Sequence, residues 1–597
     1  MDRRNNGLNL RRHRVHLDAS AFDLAYYLEH NPDVAESGRD PFAHFLEHGV
    51  YENRQARFFD TSWYLRRYPD LMRGHVDAFT HFQRFGQSEG RSAQFLTFKT
   101  TLVRPSVGNY SDWVRQFDEI GKTDLKWLEA RAAELAGPSF GILMVDAGTA
   151  ADSGSLITSF NSIFDQILPP AAIHLVGQLS SFRVRDSLAQ LGKKAADVAC
   201  HDIDEHLAEA LNAALERMGT DFVVIMDGGD VLSPMALYCL TEALAENPEA
   251  EILYSDEDRI DVKGRRSAPY FKCKPNPELL LTHNMIGHLA AYKASLLQLI
   301  QGFDSHHEGA AEYDLALRAV ESTSPDMIVH IPRVLYHRLK TGEPEMGTPP
   351  AHLAAVRSYL NRRNLEGTVT PAPEVAGYSR VRLKFSGRPP LVSVIIPTRD
   401  HVDVLKVCVA SLLERTTYPG KEIIIVDNGS ENPETLQYLK RLQEENGIIV
   451  VRDPRPFNFA ALNNAAVARA RGEFVCLMNN DIEIITPDWL EEMLSFARNP
   501  DVGCVGARLW YPDGTLQHGG VLVGFHGVAG HMHKYLKKGD TGYANRAVLH
   551  QSLSAVTAAC LLVSKANLPG GRRPRRGLRG GLQRRRFLPQ GARRRLP

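Results

Sequence analysis

From Leu391 onward, short apolar runs alternate with amphipathic stretches. "LVSVIIP" is continuously apolar and predicts a strand buried on both faces. "HVDVLKVCVASLLERT" gathers its apolar residues on one helical face. "KEIIIVDNGS" predicts a strand ending in a polar turn, "NPETLQYLKRLQEE" a helix, "GIIVV" a strand and "NFAALNNAAVARAR" a helix. "GEFVCLMNND" predicts a strand ending in amides and a carboxylate. "TPDWLEEMLSFARN" predicts a helix with Thr486 as N-cap and Pro487 at its first position. Strands separated by helices in this order predict a parallel sheet covered on both faces, whose ligands bind at the C-terminal ends of the strands.

A second alternation lies earlier, from Phe140 to about His337, with "GILMV", "AIHLV" and "FVVIM" as its apolar strands. Between the two, Ala351 to Asn364 predicts a helix, and "GTVTPAPEVAGYSRVRLKF" predicts a linker with an extended segment. Ahead of both, Phe22-Asp23 recurs as Phe59-Asp60, an offset of 37 residues that also matches Tyr27 with Tyr64, Pro32 with Pro69, His44 with His81 and Phe45 with Phe82. Self-similarity at such a period marks one supersecondary unit used twice, here a pair of short helices. His44 and His81 read as packing residues beside aromatics, since no further metal ligands stand near them. "YSDWVRQFDEIGKTDLKWLEARAAELAG" predicts a helical connector.

The formal net charge of zero conceals an asymmetry. Residues 566–597 hold 11 Arg and no Lys, Asp or Glu, so the rest of the chain carries −11. A body that acidic argues against nucleic-acid binding, which needs basic surface facing phosphates. An RNA-binding arm fits the tail alone. The seven cysteines are scattered without zinc spacing and read as buried free thiols in a reducing compartment. No run of ~18 apolar residues predicts a membrane span, and the charged N-terminus lacks the apolar core of a secretory signal. The expected location is the cytoplasm, with room for peripheral association at the inner face of the plasma membrane.

Candidate chemistry concentrates at three strand ends of the second α/β region: Pro397-Thr398-Arg399-Asp400, Asp427-Asn428-Gly429-Ser430 and Asn479-Asn480-Asp481. Adjacent parallel strands make these ends converge. A carboxylate at one end can accept from a base N–H, and one at another can hold a divalent cation against a diphosphate. Arg399 can place positive charge near phosphates. Asp and Asn also begin ordinary turns after strands, but three such ends in succession point to a nucleotide site.

The segments "SVIIPTRD", "IIIVDNGS", "NFAALNNAAVARARGEFVCLMNNDIEIITPDWLEEML" and "GARLWYPDGTLQHGGVLVG" resemble family 2 glycosyltransferases of the GT-A fold, of the bacterial multidomain type that builds surface polysaccharide. The resemblance covers Leu391 to about Lys565. It implies that Asp427 binds the nucleotide base and that Pro397, Thr398, Arg399, Asn428, Asn479 and Asn480 line the nucleotide-sugar site. It implies Asp481 as the ionised ligand of Mg²⁺ or Mn²⁺, and His518, Gly519 and Gly520 with "SAVTAAC" on the acceptor side. The first α/β region resembles the same family more faintly, through "FVVIMDGGDVLSPMALYCLTEAL", "APYFK", "GAAEYDLALR" and "HIPRVLYHR". There the resemblance places Glu312 as catalytic base and Asp227, Asp230 and His337 as metal candidates. Its base-recognition side departs from the pattern, with Gly177-Gln178 in place of acids, "DAGTA" after the first strand and Gly229 in place of an Asp, so the domain reads as degenerate.

The expected architecture is therefore α/β, with two Rossmann-like GT-A domains in tandem behind a small helical repeat domain. Its boundaries are 18–97 for the repeats, 98–136 for the connector, 137–345 for the degenerate domain, 346–388 for the linker, 389–566 for the second domain and 567–597 for the tail. The family pattern stops after "AACLLVSK". One set of permitted codons for residues 582–597, read one base over, spells F-N-D-V-D-F-C-L-K-A-R-D-A-G-Y, which resembles the family's base-bearing segment. The tail is accordingly read as a frameshifted, disordered remnant. The resemblance implies metal-dependent, inverting transfer of a sugar from a nucleotide donor, with UDP favoured, to a glycan or lipid-linked acceptor. The alternative is a catalytically dead nucleotide-sugar-binding scaffold, because the second domain's base segment is missing.

Overall fold

The computed structural model describes residues 153–339, 350–384, 387–523 and 529–568 without a break, together with 110–119, 122–135, 137–146 and shorter pieces of the first hundred residues. The arginine-rich tail lies outside the described residues. Two compact units divide at Leu125 and Lys126. In the first unit, helices Leu24–His30, Pro32–Ser37 and Pro41–His44 gather the buried Phe22, Tyr27 and Phe45. Tyr27 Oη and His44 Nδ1 share a hydrogen bond of 3.2 Å, which occupies that histidine in packing. Most of the second repeat lies outside the described residues. Strands Gln55–Phe59 and Phe95–Lys99 pair antiparallel, an element that the helical reading of the repeats did not include.

The second unit holds two sheets of the same plan. In the first, β1 (Phe140–Asp146), β2 (Ala172–Gly177), β3 (Val198–Asp202), β4 (Phe222–Asp227), β5 (Ile252–Ile260), β6 (Arg266–Tyr270), β7 (Ala290–Lys293) and β8 (Ile328–Leu339) are ordered β3-β2-β1-β4-β7-β5-β8, with β6 on β5. In the second, β9 (Val392–Thr398), β10 (Lys421–Asp427), β11 (Ile449–Arg452), β12 (Phe474–Met478) and β13 (Cys560–Ser564) are ordered β11-β10-β9-β12-β13. The first four strands of each sheet are parallel, and β7 and β13 run antiparallel beside the fourth. β1 is buried along its whole length, as a strand covered on both faces must be. Beyond β7 the first domain continues through helix Ala311–Ser322 into β8, whereas the described part of the second domain ends at Leu568, just past β13.

Helix starts follow local chemistry. Asn432 caps Pro433–Asn446 and Asn458 caps Phe459–Arg469 through side-chain oxygens on backbone amides. The start predicted at Thr486 and Pro487 is displaced, because the helix is Trp489–Ala497 with Asp488 at its cap. The Pro487 carbonyl instead accepts from the Thr417 amide at 3.0 Å, tying that turn to the preceding helix–strand loop. The segment predicted as an extended linker is an antiparallel hairpin, Gly367–Pro371 with Ser379–Leu383, and it packs against both domains. Ser379 N–H donates to the Thr282 carbonyl at 2.8 Å on one side. On the other, Glu492 receives Arg380 at 2.6 Å, Arg382 at 2.8 Å and His550 at 2.9 Å.

A longer-range clasp joins the domains. Tyr543 Oη accepts from the Phe271 amide at 2.7 Å and donates to the Pro269 carbonyl at 3.1 Å. Asn276 and the Ser552 backbone exchange two hydrogen bonds, of 2.8 and 2.9 Å.

Burial would raise the Glu492 carboxyl, but His550 and Arg380 outweigh it and hold it at about 2. Its contribution to stability is therefore complete above pH ~4.5 and is lost as pH falls toward 2. Glu492→Ala should cost about 2–3 kcal/mol at pH 7, because it leaves Arg380 and His550 partly buried without this acceptor, while Arg382 keeps Asp488 at 2.6 Å. Thermal denaturation across pH should show the gap from wild type narrowing below about pH 4.5.

Candidate active site

The second domain brings its three predicted strand ends together. The Asn428 amide donates to the Thr398 carbonyl at 2.8 Å, and Asn480 Nδ2 donates to Thr398 Oγ1 at 3.1 Å, so β9, β10 and β12 meet at one crest. Asp427 sits almost fully buried at its centre. Its Oδ1 accepts from the Ser430 amide at 2.8 Å and its Oδ2 from Arg452 Nη1 at 2.9 Å, so the carboxylate is fixed in position and charge-compensated. Asn428 Nδ2 donates to the carbonyls of Asp453 and Arg455, both at 2.8 Å, closing the wall behind it.

Just beyond Pro397 and Thr398, Asp400 and His401 both hold left-handed backbone, each with φ of 49°. Two consecutive non-glycine residues in that region store strain of a kind that collects at ligand sites. Asp400 Oδ1 accepts from the amides of Glu431 and Asn432, both at 3.0 Å, which holds the turn. Arg399 and Asp481 are exposed at the rim, and Asn479 and Asn480 are half-buried beside them. His518 is buried, and burial followed by His531 pushes its imidazole down to about 4, so it stays neutral. The two rings meet at 3.1 Å between their Nδ1 atoms, which makes His518 part of the wall on the predicted acceptor side. Gly520 has φ of 118°, and a Cβ there would lie 2.1 Å from Leu553, so no other residue fits the turn.

In the first domain the predicted residues separate. Asp227 and Asp230 stand together at the end of β4, but the histidine that joins them is His288, with ligand atoms of all three within 4.8 Å of one another. His337 is not in that group; its Nδ1 lies 2.6 Å from Asp258 Oδ1, as β5 and β8 pair Asp258 directly with His337. Glu312, on helix Ala311–Ser322, faces this cluster and lies 3.8 Å from His288 Nδ1. Burial, then Asp227 and Asp230, push the Glu312 carboxyl well above its ordinary range. Burial and Asp227 push Asp230 up to about 7, although Tyr336 Oη at 2.8 Å and the Leu339 amide at 2.7 Å both donate to it. Lys272 lies 2.8 Å from Glu257 and donates to the carbonyls of Ile286 and His288, which fixes the loop carrying His288.

Sequence reading missed Arg452 as the partner of Asp427, and His288 and Lys272 in the first domain. The "IGH" of "NMIGHLAAY" carries no spacing that marks a ligand, and only the fold brings it to β4.

Residues 393–551 match the family described as "Glycosyl transferase family 2". The chain is 42% identical over 382 residues to an uncharacterized protein of Sinorhizobium fredii, an alignment covering 62% of this chain and 41% of that one. It is 37% identical over 368 residues to the O-antigen biosynthesis protein RfbC of Myxococcus xanthus, covering 60% of this chain and 28% of that one. The chain thus spans well under half the length of these relatives. Among solved structures it is similar to TarS 1–349 of S. aureus, with 16% identity, a TM-score of 0.30 and coverage of 37% of this chain and 64% of that one. The matched residues include β9, β10 and β12 with the crest they build, and the second α/β domain is a family 2 glycosyltransferase domain.

Proposed function

We propose that the protein transfers a sugar from a nucleoside-diphosphate donor, UDP-linked by preference, to a glycan or lipid-linked acceptor in the assembly of cell-surface polysaccharide. The observation that carries this reading is the buried, arginine-paired Asp427 at the point where three strand ends converge. A carboxylate so fixed accepts the N–H of a nucleobase without reorganising. Thr398 and Asn480 border the ribose and diphosphate side, and Arg399 is exposed at the rim to meet phosphate charge. His518 and Gly520 shape the acceptor side.

Asp481 would hold the Mg²⁺ or Mn²⁺ of the second domain. Asp227, Asp230 and His288, an O,O,N donor set within 4.8 Å, suit such a cation in the first. A bound cation neutralises charge gathering on the departing diphosphate. In the first domain Glu312 would take the proton of an acceptor hydroxyl, and its raised affinity for protons suits that role. Attack on the opposite face from the leaving diphosphate inverts the anomeric centre.

Glu312 follows the end of β7, at Lys293, by 19 residues, and 20 residues past the end of β13, at Ser564, lies Arg584, where the shifted frame reads its first Asp. That near match supports the reading of the tail as the base-bearing segment in a shifted frame. The test screens sugar nucleotides with Mn²⁺ for transfer and hydrolysis, using this chain, a frame-restored chain and Asp481→Ala in the latter. Turnover by the frame-restored chain is expected, with Asp481→Ala raising the Mn²⁺ needed for half-maximal rate about tenfold. Nucleotide binding without turnover in either chain would favour a scaffold instead.

A further inference from the structure

The first domain lacks an acid where β10 carries Asp427, one of the departures that made it read as degenerate. Strand registers locate the difference. In the second sheet Thr398 of β9 lies beside Asp427 of β10. In the first, the corresponding pair is Asp146 of β1 beside Gly177 of β2. The carboxylate has therefore moved one strand over.

Its surroundings have moved with it. A Cβ on Gly177 would lie 3.2 Å from the Asp146 Cβ, and one on Gly228 would lie 3.3 Å from the same atom. Both flanking positions are glycine, and the Asp146 side chain fills the volume at the crest between β2 and β4. Asp146 is 2% exposed and Asp427 1%, so both carboxylates are seated to the same depth. Each is paired with one arginine: Arg452 at the end of β11, the strand beside β10, for Asp427, and Arg183 at the start of helix Phe182–Leu191, which follows β2, for Asp146. Val145, next to Asp146, pairs across to Asp227 of the acid–histidine cluster.

We infer that the first domain holds a second nucleotide site, in which Asp146, anchored by Arg183, accepts the ring N–H of the base in place of the acid missing at Gly177. The ligand class is a nucleoside diphosphate whose base offers such a donor, as uracil and guanine do. Its diphosphate would lie toward Asp227, Asp230 and His288. This inference rests on the proposal that the second-domain crest binds a nucleotide, and the two can fail separately.

Isothermal titration of the full chain with UDP, and in parallel with GDP, in the presence of Mn²⁺ tests it. Wild type should bind two equivalents of at least one of these nucleotides. Asp146→Ala should remove one equivalent and Asp427→Ala the other. Asp146→Asn, which keeps the side-chain shape, should weaken the first-domain equivalent about tenfold at an unchanged melting temperature. A single equivalent, lost in Asp427→Ala and untouched in Asp146→Ala, overturns the first-domain site and leaves the second-domain reading standing. No binding by wild type overturns both. Where Asp146→Ala lowers the melting temperature and loses both equivalents, a natively melting Asp146→Asn with two full-strength equivalents overturns the inference.

Discussion

Asp427→Ala should weaken nucleotide binding at the second-domain crest by two to three orders of magnitude while changing stability little. A hydrogen bond from a ligand N–H to a buried carboxylate is worth roughly 1.5–3 kcal/mol, and leaving the base donor unpaired in the closed site adds about 1–2 kcal/mol. The stability cost is small because Arg452, the partner left behind, is 52% exposed and can rehydrate. Asp427→Asn keeps an acceptor oxygen and should lose only about tenfold. Titration calorimetry read beside thermal melting separates binding from folding. A variant with wild-type affinity would remove Asp427 from the nucleotide site, and one that fails to melt cooperatively would give it a structural role instead.

The second large effect is electrostatic and lies in the first domain. Asp230 takes up its proton near pH 7 in the folded chain, against about 3.8 for an ordinary aspartate. Between those values the folded state binds more protons than the unfolded one, so stability falls as pH rises. From pH 5 to pH 8 Asp230 alone should cost roughly 2–3 kcal/mol, and Glu312, shifted the same way, adds to the slope. In metal-free protein the melting temperature of the first domain should therefore drop by about 5–10 °C over that range. Asp230→Asn should remove most of the drop and melt higher than wild type at pH 8. Mn²⁺ should flatten the wild-type slope, because a cation held by Asp227, Asp230 and His288 compensates the carboxylates as they ionise. A wild-type profile that rises between pH 5 and 8 without metal would rule out the cluster as the dominant titrating group.

Much of this fold could be read from the chain, because buried parallel strands leave an unambiguous record. "VSVII", "EIIIV" and "FVCLM" are apolar without interruption, and the structure pairs them as β9, β10 and β12. The same runs locate the crest, since a strand that ends in Asp or Asn marks where the sheet stops. The remainder depended on distance in space. His337 and His288 are both histidines within the first domain, and nothing in their neighbours tells which one turns toward Asp230. That is settled by the pairing of β5 with β8, which commits His337 to Asp258. Asp146 escaped for a related reason. A motif compares one strand end with its expected residue, whereas the displaced carboxylate shows only when two adjacent strand ends are compared in register. The hairpin from Gly367 to Leu383 read as linker because its two strands are short and polar, and its order comes from Glu492 and Thr282 on either side.

The clasp from Tyr543 to Phe271 and from Ser552 to Asn276 has a consequence during synthesis. The joined residues lie 272 and 276 positions apart. A ribosome adding about 5–20 residues per second needs roughly 14–55 s to cover that distance. Throughout that interval the nascent first domain carries Phe271 and Asn276 with their backbone and amide partners still unmade. The polypeptide thus emerges with its earlier α/β domain unfinished, and the later one supplies the last fastening.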